Sequence, residues 1–319
     1  MNWEDLELSP RIISGLKKAN FKSAREILCH SGHDLQRLAN LSKCDVKHLL
    51  AVVASSLRRR PPTTGGIPLC GITELAGESG TGKTQFGLQL SLSVQYPQEY
   101  GGLGSGAVYI CTEDSFPIKR LRQLITQQSL LRPELPQTLI RSIRFSDNIY
   151  IEHAADLGAL QVCVSQRVPV LLSRGLVRLV VVDSVAALFR SEFQADEAAE
   201  RARHMQTLAG TLHRLSHSYN APVLCINQVT DVIDDSDQAR CNFGLVNSKV
   251  LPALGMAWAN LVLVRLMLRR LQGSTGSGTQ DSAPRRLEVV FAPHLPQAGC
   301  LCGVYEEGVR GLSSTDPGQ

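Results

Sequence analysis

Eight consecutive residues carry the clearest chemistry in the sequence, in a glycine-rich segment that ends in a lysine and a threonine. They are Gly77, Glu78, Ser79, Gly80, Thr81, Gly82, Lys83 and Thr84, and they have the spacing G-x-x-x-x-G-K-[ST] of a P-loop. The glycines let backbone N–H groups curl around phosphate oxygens, the lysine adds a positive charge, and the threonine hydroxyl is offered to Mg²⁺. The segment therefore predicts binding of a nucleoside triphosphate, ATP, together with Mg²⁺.

The residues around this motif supply the elements that it needs. A short apolar run over residues 71–76 predicts a strand before the loop, and a helical pattern begins at Gln85. The amino terminus of that helix would add its dipole to the attraction for phosphate. We include Gln85 in the predicted nucleotide-binding set.

The second motif is an aspartate at the end of a buried strand. Asp183 directly follows the apolar run Leu179–Val182. An aspartate at the tip of a buried strand has the Walker B form, in which the carboxylate holds the water shell of Mg²⁺. The alternative is a strand-ending aspartate that caps the next helix. Because a P-loop lies about a hundred residues upstream, we predict that Thr84 and Asp183 form the metal site.

Two further strand ends carry polar groups whose roles the residues alone leave open. Glu113 and Asp114 follow the run 107–111, where one of them could polarise an attacking water or stabilise the dipole of the next helix. Gln228 follows the run 223–226, where its amide could sense a γ-phosphate or simply end the strand.

The order of these patterns predicts the architecture. We predict a small helical domain over 1–57, a linker over 58–66 and an ATPase core over 67–319, with Ser9–Pro10 starting one helix and Ser23 with Glu26 capping another. Strand runs in the core are short, continuous and rich in β-branched residues, as parallel strands covered on both faces are. The fold class is therefore α/β, a mostly parallel sheet flanked by helices. The runs 258–268 and 286–293 predict an antiparallel hairpin at its edge.

Composition sets broad limits on the function. The 319 residues are 43% hydrophobic and 19% charged, with a net charge of +4, which is typical of a soluble globular protein and permits nucleic-acid binding. Nine scattered cysteines without a C-x-x-C pair indicate reduced thiols in an intracellular protein. No apolar run has the roughly 18 residues of a membrane span, so we expect no membrane partner.

Taken together, the motifs resemble the RecA-like recombinase family of homologous DNA repair over nearly the whole chain. The likeness rests on residues 8–13, 71–77, 82–85, 109–114, 182–187, 225–229 and 292–296. It implies that Glu113 places the attacking water, that Gln228 senses the γ-phosphate, and that Arg120 packs on the nucleotide base. Catalytic roles then fall to Glu113, Lys83 and Gln228.

The resemblance also implies partners and a location. It implies a helix-hairpin-helix-like amino-terminal domain, a C-type recombinase paralogue as partner, the main recombinase filament, and single-stranded and branched DNA. It places the protein in the nucleus with a cytoplasmic pool. Residues 293–296 correspond to a segment that covers a neighbour's nucleotide, and residues 230–250 correspond to DNA-facing loops.

Three features depart from the family pattern. The stretch 231–237 carries four aspartates where DNA contact favours basic residues, Asp114 stands where glycine is usual, and Arg60 leads almost directly to Gly65 without the family's longer linker. Two hypotheses follow. The chain is a DNA-stimulated ATPase subunit of a repair complex, or it is a nucleotide-stabilised adaptor with little or no hydrolysis.

Overall fold

The structure is a computed structural model that describes residues 8–19, 21, 27, 32–46, 48–49, 52, 66–113, 115–231, 250–273 and 282–312. The chain separates into two compact units, Met1–Gly66 and Ile67–Gln319.

The first unit is helical. Helix α1 spans Pro10–Lys18 with Ser9 at its N-cap position and proline in its first turn, which confirms the predicted start. Helix α2 spans Gly32–Ala39. At Gly15 a Cβ atom would lie 2.5 Å from the Ala39 carbonyl oxygen, so only glycine lets the two helices approach this closely. The predicted capping box at 23–26 lies outside the described residues.

Apolar side chains fill the centre of this unit. The buried members are Leu8, Ile12, Leu16, Phe21, Ile27, Leu35, Ala39, Leu41, Val46 and Leu49. Along α1 the buried residues recur at the spacing of one helix face, as the amphipathic pattern predicts.

The second unit is built on a sheet of nine strands. The strands of this unit are β1 (Ile72–Gly77), β2 (Gly106–Cys111), β3 (Ile149–His153), β4 (Val177–Asp183), β5 (Val223–Asn227), β6 (Val229–Asp231), β7 (Val250–Pro252), β8 (Val264–Arg270), β9 (Arg285–Phe291), β10 (Gly299–Val304) and β11 (Val309–Gly311). The sheet order is β11-β10-β9-β8-β1-β5-β4-β2-β3, and β6 pairs with β7 separately. Strands β8, β1, β5, β4, β2 and β3 are parallel, whereas β9, β10 and β11 add antiparallel strands.

Helices cover both faces of the sheet. They are α3 (Lys83–Ser93), α4 (Ile118–Thr126), α5 (Gln128–Leu131), α6 (Gln137–Ser142), α7 (Leu157–Val162), α8 (Val168–Ser173), α9 (Val185–Ser191), α10 (Ala198–Tyr219) and α11 (Gly255–Ala259). One apolar cluster packs against α10 and contains Trp258, and a second packs against α3 and contains Tyr109. The predicted α/β class with a doubly covered, mostly parallel sheet is confirmed, and β1, β2, β4 and β5 lie within two residues of their predicted positions.

A charged pair is buried within this sheet. Glu74 on β1 and Arg265 on β8 form an ion pair whose side chains are 0% and 4% exposed. Asn227 donates from Nδ2 to Oε1 of Glu74 at 2.5 Å. The pair ties three adjacent strands together at their centre.

The carboxyl-terminal part differs from the prediction in two ways. The run 258–268 was predicted as one strand, but α11 contains Trp258 and β8 begins only at Val264. Complete burial of the indole in the cluster beneath α10 favours the helix over the strand propensity of the run. The predicted hairpin of β8 and β9 exists but is internal, because β10 and β11 extend the sheet beyond it.

Candidate nucleotide-binding site

The P-loop joins the end of β1 to the start of α3, as the motif requires. Gly80 and Gly82 have φ angles of +74° and +106°, which favour glycine. A Cβ atom on Gly80 would meet nothing within 4 Å, so the loop opens onto free space there. Thr81 is buried and donates its hydroxyl to the Glu78 carbonyl oxygen at 2.8 Å, which braces the loop from within.

A cavity of about 440 Å³ lies against this loop, within the size range of small-molecule sites. Every predicted site residue lines it except Gly77, Glu78 and Thr81, which form part of the loop itself. Four lining residues were not predicted: Ser184, Ile226, Arg285 and Val304. The carboxyl ends of β1, β4 and β5 lie at one edge of the sheet. This edge brings together Ser79, Asp183 and Gln228, which are about 150 positions apart at most.

Lys83 lies at the floor of the cavity and is largely buried. Its Nζ donates to the carbonyl oxygens of Gly77 at 2.8 Å and of Glu78 at 2.7 Å. Burial lowers the pKa of Lys83, while the charges of Asp183, Glu113 and Glu78 act in the opposite direction. A phosphate oxygen would offer this ammonium a charged acceptor in place of neutral carbonyls, and bonds of that type are about twice as strong.

Thr84 and Asp183, the predicted metal pair, are in direct contact. The Thr84 hydroxyl donates to Oδ2 of Asp183 at 2.8 Å. A hydroxyl and one carboxylate suit Mg²⁺, which in nucleotide sites takes few protein ligands and completes its shell with phosphate oxygens and water. Among the described residues no group of three or more His, Cys, Asp or Glu side chains could hold a metal ion. The residues present therefore fit a nucleotide-dependent Mg²⁺ site.

Glu113 and Gln228, predicted separately, belong to one hydrogen-bonded chain. Oε1 of Glu113 accepts from the Ser184 hydroxyl at 2.6 Å and from Nε2 of Gln228 at 2.5 Å. Oε1 of Gln228 accepts in turn from Nη1 of Arg190 at 2.8 Å. No described residue donates to the other carboxylate oxygen of Glu113, which is free to hold a water. Asp114 lies outside the described residues.

Arg120 stands at one corner of the cavity. Its guanidinium donates to Oε1 of Gln85 at 2.7 Å and to the carbonyl oxygens of Tyr305 at 2.5 Å and Glu306 at 2.9 Å. Burial lowers the pKa of Arg120, opposed by the charges of Glu306 and Glu307. The arginine is therefore fixed between α4, the start of α3 and the turn after β10, where its planar group can form part of a wall for a base.

Of the four lining residues that the sequence did not predict, Arg285 is the one that bonds to the P-loop. At the start of β9, it donates from Nε to the Thr81 carbonyl oxygen at 2.9 Å and from Nη1 to the Ser282 hydroxyl at 2.8 Å. It lies about 200 residues from the P-loop in a stretch without a motif, so no sequence signal connects it to the site. Only the antiparallel extension of the sheet brings it there.

Two segments that the resemblance assigned to partners are partly described. Residues 293–296 follow β9, with Pro293, His294 and Pro296 exposed. Thr230 and Asp231 lie in β6, which pairs with β7, and residues 232–249 lie outside the described part of the chain.

Comparison with known proteins assigns the family. A family model described as Rad51 matches residues 47–312, and a second, described as an XRCC3/RpoA-like helix-hairpin-helix domain, matches residues 3–57. The chain belongs to the Rad51 family. Similar relatives include DNA repair protein XRCC3 from Mus musculus, 47% identical over 99% of both chains, and that from Bos taurus, 46% identical over the same shares. An XRCC3 homolog from Arabidopsis thaliana is 34% identical over 77% of this chain and 88% of the relative.

The Rad51-family alignment also bears on the short linker. The alignment to the mouse relative spans 346 positions, which exceeds the 319 residues of this chain by 27. At least that many positions of the alignment therefore face a gap in this chain. A shortened segment before β1 would produce such an excess, and its location there stays a prediction.

Proposed function

We propose that this Rad51-family chain is an ATP-binding recombinase paralogue that acts in homologous-recombination repair of DNA double-strand breaks and in the processing of recombination intermediates. One observation carries the proposal. The P-loop, Asp183, Glu113 and Gln228 line one cavity, in which Thr84 bonds to Asp183 at 2.8 Å and Gln228 bonds to Glu113 at 2.5 Å. Relatives that share the whole chain are named DNA repair proteins, which agrees with this role.

The reaction that fits these residues is slow attack of water on the γ-phosphate of ATP, in which a new P–O bond forms, the bond to the β-phosphate oxygen breaks and ADP leaves. Lys83 exchanges its two carbonyl acceptors for phosphate oxygens and stabilises the charge that develops on them. Glu113 holds the attacking water through its unbonded carboxylate oxygen and accepts a proton from it. Thr84 and Asp183 would hold Mg²⁺, which would supply further positive charge to the phosphates.

Gln228 gives this site a means of reporting which nucleotide is bound. Its amide donates to the carboxylate of Glu113, and a γ-phosphate would offer it a competing charged acceptor. The exchange would move Gln228 relative to Arg190 on α9 and to β6, which begins at the next residue. Hydrolysis would reverse it, as in other γ-phosphate switches.

A second candidate is a nucleotide-stabilised adaptor with little or no hydrolysis. Both groups that the reaction needs already have protein partners, since Lys83 bonds to the loop and Glu113 bonds to Ser184 and Gln228. The acidic stretch that begins at Asp231 favours the same reading, because phosphate contact favours basic residues.

For partners, we propose a C-type recombinase paralogue, the main recombinase filament, and single-stranded and branched DNA, with a nuclear location and a cytoplasmic pool. The family and the relatives' names support a partner of the Rad51 type. None of the helices in the described residues has the length and apolarity to cross a membrane.

The test is ATP binding and hydrolysis by the purified chain, alone and with the paralogue, with and without single-stranded DNA. Lys83→Ala is compared with Lys119→Ala, which removes an exposed lysine on α4. Turnover that rises with DNA and is lost only in Lys83→Ala supports the ATPase. Nucleotide binding and a stable complex without turnover support the adaptor, and absence of nucleotide binding contradicts both.

A further inference from the structure

Tyr109 is a buried tyrosine on β2 whose ring lies among apolar side chains. It is 0% exposed in the cluster beneath α3, and the ring of Phe116 packs edge-on against it with centroids 5.1 Å apart. Gly87 on α3 makes room for it, because a Cβ atom there would lie 3.1 Å from the tyrosine oxygen. The packing fixes the ring and therefore the position of its hydroxyl.

That hydroxyl reaches the predicted metal site. It donates to Oδ2 of Asp183 at 2.6 Å, the same oxygen that accepts from Thr84 at 2.8 Å. No described residue donates to Oδ1 of Asp183. The two hydrogen bonds to Oδ2 fix the orientation of the Asp183 carboxylate. Oδ1 therefore remains available as an acceptor.

We propose that Tyr109 is a positioning residue of the magnesium site, which orients Asp183 so that Oδ1 remains available for a water of the metal shell. The inference rests on the proposed binding of ATP with Mg²⁺. When the nucleotide binds, Thr84 would turn its oxygen to the metal and its hydrogen bond to Asp183 would be lost. Tyr109 would then be the remaining donor that holds Asp183 in place.

A purely structural role makes a different prediction. Any buried phenol needs a hydrogen-bond acceptor. If Asp183 serves only as that acceptor, loss of the Tyr109 hydroxyl changes the stability of the protein and not its Mg²⁺ dependence. Tyr96 provides the matched control, because it is also 0% exposed in the same cluster and donates to a neutral acceptor, Oε1 of Gln128, at 2.8 Å.

The experiment is a Mg²⁺ titration of the binding of a fluorescent ATP analogue to wild type, Tyr109→Phe and Tyr96→Phe. We expect Tyr109→Phe to raise the Mg²⁺ concentration for half-maximal binding about tenfold or more, the effect of one lost hydrogen bond to a charged group. Its affinity for the analogue in EDTA should equal that of wild type. Tyr96→Phe should change neither value more than about twofold.

The outcomes separate the inference from the function on which it rests. Equal Mg²⁺ dependence in Tyr109→Phe and wild type overturns the positioning role, while a wild type that binds no nucleotide overturns the proposed function as well. Thermal unfolding of both variants checks folding. If Tyr109→Phe does not fold, 3-fluorotyrosine placed at position 109 retains the hydroxyl. Its ¹⁹F resonance should then shift with Mg²⁺ in the nucleotide complex, and an unchanged resonance overturns the role.

Discussion

The amide of Gln228 and the carboxylate of Glu113 meet in a 2.5 Å hydrogen bond, although 115 residues separate them in the chain. If Gln228 leaves Glu113 for a phosphate, Glu113 keeps only the Ser184 hydroxyl on that oxygen. In the proposed mechanism, sensing of the nucleotide and release of Glu113 are therefore one movement of one side chain.

We predict that Glu113→Gln keeps nucleotide binding and loses hydrolysis. An amide retains the size of the side chain but cannot accept a proton from water, and loss of such a group reduces turnover about 10²- to 10⁴-fold. Glu99→Gln, at an exposed site in the turn after α3, is the control. Phosphate release under saturating ATP measures the effect, and undiminished turnover in Glu113→Gln would remove this residue from the mechanism.

Arg285→Ala should weaken nucleotide binding. The change removes a positive charge from the cavity wall and the bond that fixes the Thr81 carbonyl of the P-loop. We expect the dissociation constant to rise about five- to tenfold, which corresponds to roughly 1 kcal/mol. The neighbouring Arg286→Ala is matched in residue type, exposed and paired with Glu288 at 2.9 Å instead. Calorimetric titration that gives equal affinities for the two variants would show that Arg285 has no part in binding.

The buried pair of Glu74 and Arg265 should be far more sensitive than an exposed pair. Arg265→Met leaves an uncompensated carboxylate in the sheet, and we expect a loss of about 3–5 kcal/mol in the free energy of unfolding. Arg167→Met breaks the pair with Glu152, in which the arginine is 60% exposed, and should lower the free energy of unfolding far less, because solvent screens an exposed pair. Urea unfolding compares them, and similar losses in both variants would contradict this account of the sheet centre.

Cysteine reactivity tests the packing beside the site. Burial, with Asp183 as the next cause, raises the pKa of Cys111 to about 12, and its side chain is buried. Because the thiolate is the nucleophile, about one Cys111 side chain in 10⁴ is reactive at pH 8. Mass spectrometry after iodoacetamide treatment should find the exposed Cys300 labelled and Cys111 intact until the protein is denatured. Rapid native labelling of Cys111 would mean that β2 is more open than described.

The sequence predicts the site residues that belong to a motif or that follow a recognisable buried strand. Thr84 and Asp183 were paired from their motifs, and β4 was located because parallel strands covered on both faces are continuous β-branched runs. The contacts of Arg190 and Arg285 were not predictable, since they depend on which distant strands become neighbours. Trp258 shows the same limit, because its burial beneath α10 decides a helix that local propensity does not indicate.

The central position of β1 has a consequence for synthesis of the chain. β1 is the first of the described strands to leave the ribosome, yet its partners β5 and β8 follow about 150 and 190 residues later, and Arg285 follows later still. Chains fold in units as they emerge, so the amino-terminal helical unit can form early, whereas the core must wait until its last strands are made. The nucleotide cavity is thus among the last features to be completed, and ATP can stabilise only a nearly finished chain.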